Sequence, residues 1–163
     1  MIAYIYAMKS LPFKILISTI TTLALGIASG FSTIQSITDW YQYLNKPSFN
    51  PPNWIFGPVW TILYLMMGIA FAMIWHSRHP QKNKAMLLFA IQFIFNLAWS
   101  FLFFNRHLLG IAFIEILLMG CFIALTINSF YKINKLAAYL LIPYLCWVSF
   151  AAVLNGAIWF LNK

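Results

Sequence analysis

The side chains able to do chemistry in this chain are few and unevenly placed. Two acids, Asp39 and Glu115, stand against ten lysines and arginines, with three histidines, two cysteines and seven tryptophans. These residues do not assemble into a Ser-His-Asp set, a pair of carboxylates or a phosphate-cradling glycine loop, and His76, His79 and His107 all fall at the ends of apolar runs. Conventional hydrolytic or metal chemistry is therefore not the expectation. Cys121 and Cys146 both lie inside apolar runs, which points to small core hydrophobes rather than a disulfide framework or a zinc site.

What remains is a pattern of tryptophan and uncharged polar residues at helical spacing, since positions three, four, seven and eleven apart share one side of a helix. Gln92, Asn96, Trp99, Ser100 and Phe103 form one stripe; Tyr144, Trp147, Ala151 and Asn155 form a second; Trp60, Tyr64 and Met67 form a third. An indole N–H surrounded by hydrocarbon needs a partner, so Trp60, Trp99 and Trp147 are expected on an interior face or beside a cavity. Trp40, Trp54, Trp75 and Trp159 fall near the ends of apolar runs and read as an interfacial belt. For Gln92 and Asn96 two readings stand side by side, interhelical glue and ligand contact. Glu115 sits within an apolar run, where a carboxyl faces a bundle interior and is a functional candidate. Its plainer reading is a bridge to Asn96 or Tyr144 that locks helices together, the neutral acid donating.

The elements that must position these residues are dictated by composition. The chain has 163 residues, 63% hydrophobic and only 7% charged, with a mean hydropathy of +0.84. That is too little charge to cover a water-facing surface, so a soluble fold is excluded and lipid must cover the exterior. A bilayer core needs about 20 apolar residues per helix, and five stretches qualify, at about 13–37, 54–75, 85–104, 108–130 and 137–160. The expectation is an all-α membrane protein, a five-transmembrane-helix bundle forming one domain over 1–163. The first span carries Lys9 and Lys14 before it and Ala28, Ser29 and Gly30 within it, as a signal peptide would, but its apolar run is too long for one. An uncleaved helix is expected. Gly26 and Gly30 are spaced as a candidate dimer seam.

The net charge of +8 is carried by basic residues scattered singly or in small clusters, which favours anionic headgroups over nucleic acid. Lys9, Lys14, Arg78, Lys82, Lys84, Lys132 and Lys135 fall on one side of the spans, and Lys46, Arg106 and Lys163 on the other. Basic flanks stay cytoplasmic, so the N-terminus is expected there and the C-terminus opposite. The long loop at 38–53 then lies on the far side. Its Lys46-Pro47-Ser48-Phe49-Asn50-Pro51-Pro52 stretch removes three backbone donors and should be stiff. Asn53 is expected to N-cap the second helix, with Pro58 in its first turn. Trp60, Asn96, Trp99, Trp147, Asn155 and Glu115 would all lie in the half of the membrane beneath this loop or at the midplane.

The run Trp40-Tyr41-Gln42-Tyr43-Leu44-Asn45-Lys46-Pro47-Ser48-Phe49-Asn50-Pro51-Pro52-Asn53-Trp54-Ile55-Phe56-Gly57-Pro58-Val59-Trp60-Thr61-Ile62-Leu63-Tyr64 closely resembles the signature of the tryptophan-rich sensory protein or translocator protein family (TspO/MBR). The likeness continues through Phe95-Asn96-Leu97-Ala98-Trp99-Ser100 and through Pro143-Tyr144, Trp147, Phe150-Ala151 and Leu154-Asn155. It implies a five-helix membrane bundle, commonly a homodimer, that binds porphyrins and other flat apolar ligands in a pocket under the first loop. Carried over at matching positions, that pocket would use Tyr41, Pro51, Trp60, Asn96, Trp99, Trp147 and Ala151. Trp60 and Trp147 match tryptophans implicated in light-dependent porphyrin breakdown by some relatives, and Glu115 falls where relatives often carry an aspartate. No cofactor is required; porphyrin or haem enters as ligand, and an interfacial histidine could ligate its iron. Animal relatives end the fifth helix in a cholesterol-recognition pattern containing Tyr and Arg, whereas this chain has Trp159 and no arginine there. A formal sterol pattern at Leu125, Tyr131 and Lys135 is hypothesis-grade. Three functions are compatible with these features: a tetrapyrrole receptor or sensor, a transporter of porphyrins or other amphiphiles with Pro143 as a bending point, and a light-dependent porphyrin-degrading enzyme using Trp60 and Trp147.

Overall fold

The computed structural model describes the backbone from Ile2 to Lys163, and the side chains from Leu11 onward except Ser32, Ile34, Gln35, Ile37 and Thr38. Lys9, counted above among the basic flanks, has its side chain outside the described residues. The chain forms α1 (Ile2–Asp39), a single 3₁₀ turn at Tyr41–Tyr43, a second at Asn53–Ile55, α2 (Phe56–His76), α3 (Lys82–Ser100) running into a π-helical turn at Phe101–Asn105, α4 (Leu109–Tyr131), α5 (Lys135–Tyr139) and α6 (Ile142–Leu161). Among the described residues all regular structure is helical. Five stretches of the described residues are long and apolar enough to cross a membrane, Leu11–Phe31, Asn53–His76, Lys82–Asn105, Leu109–Tyr131 and Lys135–Leu161.

Side chains such as Phe13, Phe31, Ile94, Val153 and Phe160 are more than 60% exposed, which only lipid makes stable for so many large apolar groups. Cys121 and Cys146 are exposed as well, correcting their expected place in the core. A thiol is apolar enough for either environment, so its hydrophobicity could not distinguish lipid from protein as its neighbour.

Because lipid is as apolar as leucine, helices in a bilayer associate through close packing and polar contacts rather than through exclusion of water. The α1–α2 seam shows both. A Cβ on Gly68 would fall 2.6 Å from the Thr19 Cα, so the missing side chain lets the backbones touch, and the Thr22 hydroxyl lies 2.9 Å from the Tyr64 carbonyl. One turn further on, Gly26 faces the Tyr64 ring, which occupies the space a Cβ would need. The Gly26 face is thus taken up within the chain, and the expected Gly26–Gly30 dimer seam is corrected accordingly. α3 packs on α4 and α4 on α6, with Phe89 stacked near Phe93 (5.9 Å) and Phe130 (6.1 Å).

Three local expectations are also corrected. Asn53 does not cap α2 through its side chain; it opens a 3₁₀ turn, and the helix proper starts at Phe56. The fifth span is two helices, broken at Leu140 and Leu141, and Pro143 lies in the first turn of α6, where its missing N–H leaves no helical bond unmade. It therefore does not bend a continuous helix. The turn into α4 passes through His107 at φ 55°, an uncommon backbone state for a residue with a Cβ, which lets α3 and α4 reverse within three residues.

Candidate ligand site

Beyond Gly26 the first two helices part, and a cavity of about 430 Å³ opens between α1, α2, the end of α3 and α6. Its wall is aromatic. Trp60 stacks on Tyr64 at 5.5 Å and meets Tyr144 edge-on at 6.3 Å, while Trp147 packs edge-on to Phe56 at 6.0 Å. Trp99 closes another side, stacked on Phe103 at 5.2 Å. The helical stripes read from the sequence do converge: Trp60, Trp99, Trp147 and Ala151 all line this space.

Beneath it runs a chain of polar contacts that holds the wall rigid. The Tyr64 hydroxyl donates to Asn96 Oδ1 at 2.8 Å, Asn96 Nδ2 donates to the Tyr144 hydroxyl at 3.2 Å, and that hydroxyl donates to Met119 Sδ at 3.6 Å. Trp99 Nε1 donates to Asn155 Oδ1 at 3.1 Å, and Asn155 Nδ2 donates to the Leu109 carbonyl at 2.9 Å. Four helices are tied together in a low-dielectric interior where each such bond resists rearrangement. Asn96 is glue in this arrangement, 2% exposed and just below the cavity rather than on its wall.

The expected bridge from Glu115 to Asn96 or Tyr144 is not formed. Both Glu115 oxygens and both Gln92 amide atoms are buried without a hydrogen-bond partner, and neither residue lines the cavity. The reason is competition: Asn96 is occupied by Tyr64 and Tyr144, and Tyr144 turns its hydroxyl toward Met119.

The cavity opens sideways. Ile27, Phe31 and Trp54 line it yet are 57%, 69% and 73% exposed, and exposed Asn53, Gly57 and Thr61 share the rim. A Cβ at Gly30 or Gly57 would meet nothing within 4 Å. The mouth therefore sits on the lipid-facing flank between α1 and α2. The loop end is tied down by contrast. Tyr41, 3% exposed, donates its hydroxyl to Asn50 Oδ1 at 2.6 Å, with the Lys46 ammonium 4.9 Å over its ring. Burial pushes the Tyr41 phenol up to about 12, so it stays a neutral donor. Asn45 and Asn162 exchange hydrogen bonds at 3.0 and 2.9 Å, fastening the loop to the end of α6. Trp40 stacks on His107 at 3.9 Å. Tyr41 and Pro51, expected in the pocket, are not on its wall.

Sequence reasoning missed Gly30, Thr33, Phe56, Gly57 and Thr61, all of which line the cavity. The small residues of α1 carried a signal, close approach of another group, but spacing alone does not say which group approaches.

Five membrane-crossing helices around an aromatic-walled cavity define a multi-pass membrane protein. Within that class the chain belongs to the TspO/MBR family, whose model matches residues 18–160. It is 44% identical over 142 residues to the tryptophan-rich protein TspO of Chlorobaculum tepidum, covering 86% of this chain and 90% of that one. Likeness to the TspO of Archaeoglobus fulgidus is 39%, covering 91% and 97%, and to the human translocator protein 38%, covering 74% and 73%.

Proposed function

We propose that the cavity binds tetrapyrroles and similar flat apolar ligands, and that the protein is a membrane receptor or sensor coupling tetrapyrrole level to a metabolic or stress response. The observation that carries this reading is the wall itself, with Trp60, Trp99 and Trp147 around a space of about 430 Å³, within the size range of ligand pockets. Flat ring faces give a macrocycle a large contact area at low cost in side-chain entropy. No charged side chain lines the space among the described residues, so acidic substituents of a porphyrin would project through the mouth. No histidine, cysteine or methionine lines it either; haem would bind by its ring faces, and metal-free protoporphyrin should bind comparably. Quenching of tryptophan fluorescence in purified protein, titrated in parallel with protoporphyrin, haem and a sterol, tests this. Saturable quenching by both tetrapyrroles is expected; none, or a clear preference for the sterol, would sink it.

Transport of an amphiphile is the second reading, favoured by the break in the fifth span at Leu140–Leu141, since interrupted helices are a recurring feature of transporters. Uptake of protoporphyrin into proteoliposomes separates a carrier from a receptor. The basic flanks support a cytoplasmic N-terminus; tags at the two termini should report opposite faces of the membrane, with the N-terminal one cytoplasmic.

A further inference from the structure

The ten lysines and arginines of the chain face only two acids, Asp39 at the loop end of α1 and Glu115 inside α4. The opposite end of the bundle, where α2 passes into α3 and α4 into α5, therefore holds Lys14, Arg78, Lys82, Lys84, Lys132 and Lys135 with no carboxylate beside them. At the loop end a cation is spent within the chain: the Lys46 ammonium donates to the Gln42 and Leu44 carbonyls at 3.0 and 3.3 Å. Lys14 and Arg78 make no such bond and no ion pair among the described residues.

These two cations meet at one corner. α1 and α2 run antiparallel with Thr19 against Gly68, and the same register sets Lys14 level with Met73, about one turn short of the end of α2 at His76. The lysine stem then carries its ammonium outward to lie 5.2 Å over the Trp75 ring, as a lysine does when its backbone is at hydrocarbon depth. The charges of Lys14 and Arg78 both act on the His76 imidazole, which gathers the two cations about one residue. Arg78 stands in a turn fixed by its neighbours: the His79 N–H donates to Ser77 Oγ at 3.1 Å, and the Gln81 N–H to His79 Nδ1 at 3.2 Å. Toward the bilayer centre, exposed Ile17 and Ile20 continue from Lys14 on α1, and Phe71 lies 6.5 Å from Trp75 on α2.

We propose that Lys14, Arg78 and Trp75 form a site for the phosphate of an anionic phospholipid at this corner of α1 and α2. An ammonium and a planar guanidinium can hold separate oxygens of one phosphate. Trp75 stands at the depth where indoles meet headgroups, and Ile17, Ile20 and Phe71 give the acyl chains an apolar track. The occupant is a lipid rather than a soluble anion because Lys14 leaves its helix below the end of α2, at a level reached from the bilayer. Basic pockets between helix ends are a recurring place for anionic headgroups. This site lies outside the aromatic cavity and does not rest on any reading of it.

Native mass spectrometry of the full chain in detergent tests the site, with phosphatidylglycerol and phosphatidylcholine of the same acyl chains titrated in parallel and the first bound lipid read. Wild type should prefer phosphatidylglycerol. Lys14→Gln with Arg78→Gln should lower that affinity on the order of tenfold and leave phosphatidylcholine within about twofold. Lys132→Gln with Lys135→Gln removes the same charge from the same end of the bundle, on α4 and α5 instead of this corner, and should cost less than about twofold at physiological salt. Melting in phosphatidylcholine nanodiscs reports whether each variant is folded. Should the Lys14, Arg78 double variant fail to fold, the single variants decide, each expected to cost about threefold. Equal affinity of wild type for the two lipids would overturn the site, and so would an equal fall in both double variants, because net charge alone would then explain it. Displacement of phosphatidylglycerol by glycerol phosphate at comparable concentration would overturn it as well, since the corner would then take a soluble anion without need of the chains.

Discussion

The two ends of the bundle use the same residue types for opposite purposes. At the N-terminal end α1 and α2 touch through Thr19 and Gly68, and Met67, Ile74, Ile123 and Phe130 are 0% exposed. At the loop end the same two helices diverge, and aromatic side chains that could have filled the gap stand around it instead. The difference lies in what each glycine faces. Gly68 faces backbone and Gly26 faces the Tyr64 ring, whereas Gly30 and Gly57 face open space. In water such a void would be squeezed shut by the gain from burying apolar surface. In a bilayer that gain is absent, because lipid solvates the same groups equally well. The open half is held in place by the Tyr64–Asn96–Tyr144 and Trp99–Asn155 links on its inner side.

The sharpest way to break this comparison is to put the same side chain on a glycine from each half. Gly68→Leu drives a side chain into the Thr19 backbone, and overpacking of this kind destabilises by about 3 kcal/mol or more where neither neighbour can move. A large fall in melting temperature in detergent is expected. A Cβ at Gly30 meets nothing within 4 Å, so a leucine there starts into open space and its melting should stay close to wild type. The same leucine would stand in the mouth, and protoporphyrin affinity should fall on the order of tenfold. A Gly68→Leu protein as stable as wild type would mean that the dense half is not packed as described.

The polar links come next in size. Asn96→Leu removes the acceptor of the Tyr64 hydroxyl and the donor to Tyr144, and a buried hydroxyl left unpaired costs about 1–3 kcal/mol. Unlike Gly30→Leu, this variant should lose stability and affinity together, because the wall it loosens carries Trp60 through Tyr64. Stability unchanged with affinity lost would instead make Asn96 a direct ligand contact, the reading that its position below the cavity disfavours.

These contrasts also mark what the sequence could and could not reveal. Hydropathy placed all five spans, because length and composition alone decide which segments lipid accepts. The convergence of Trp60, Trp99, Trp147 and Ala151 was legible from helical spacing, since a helix carries its faces in its sequence. What spacing cannot encode is the choice of neighbour across a gap. Glu115 and Asn96 lie on interior faces as expected, yet Tyr64 and Tyr144 hold Asn96 first. Gly26 and Gly30 looked alike and proved different, one against a ring and one at an opening. Cys121 and Cys146 show the same limit for burial, because in a membrane an apolar residue has two solvents to choose from. The break at Leu140–Leu141 lies among ordinary helix formers, and only Pro143 hinted at it.

A smaller effect concerns the tryptophans themselves. Trp60→Phe with Trp147→Phe keeps most of the apolar wall but removes both indole N–H groups and part of the stacking surface, so porphyrin affinity should fall by about 1 kcal/mol. Equal affinity in the double variant would make the two indoles mere packing, no different in role from Phe89 or Phe130 in the dense half.

The smallest expected effect, and the one that asks most of the open half, is photochemical. A porphyrin held in the cavity would place an excitable ring within contact distance of Trp60 and Trp147, both on the wall, with oxygen reaching it through the lipid-facing mouth. Proximity then replaces a general base as the source of any rate effect. Illuminated wild type should bleach protoporphyrin faster than the Trp60→Phe, Trp147→Phe double variant at equal ligand occupancy, by a factor of roughly two to three if indole oxidation supplies the difference. Free porphyrin bleaches in light as well, so the comparison is made against ligand in empty nanodiscs. Should both proteins match that background, or slow it equally, the cavity shelters its ligand without transforming it. The open half would then differ from the dense half in what it holds, and not in any reaction it performs.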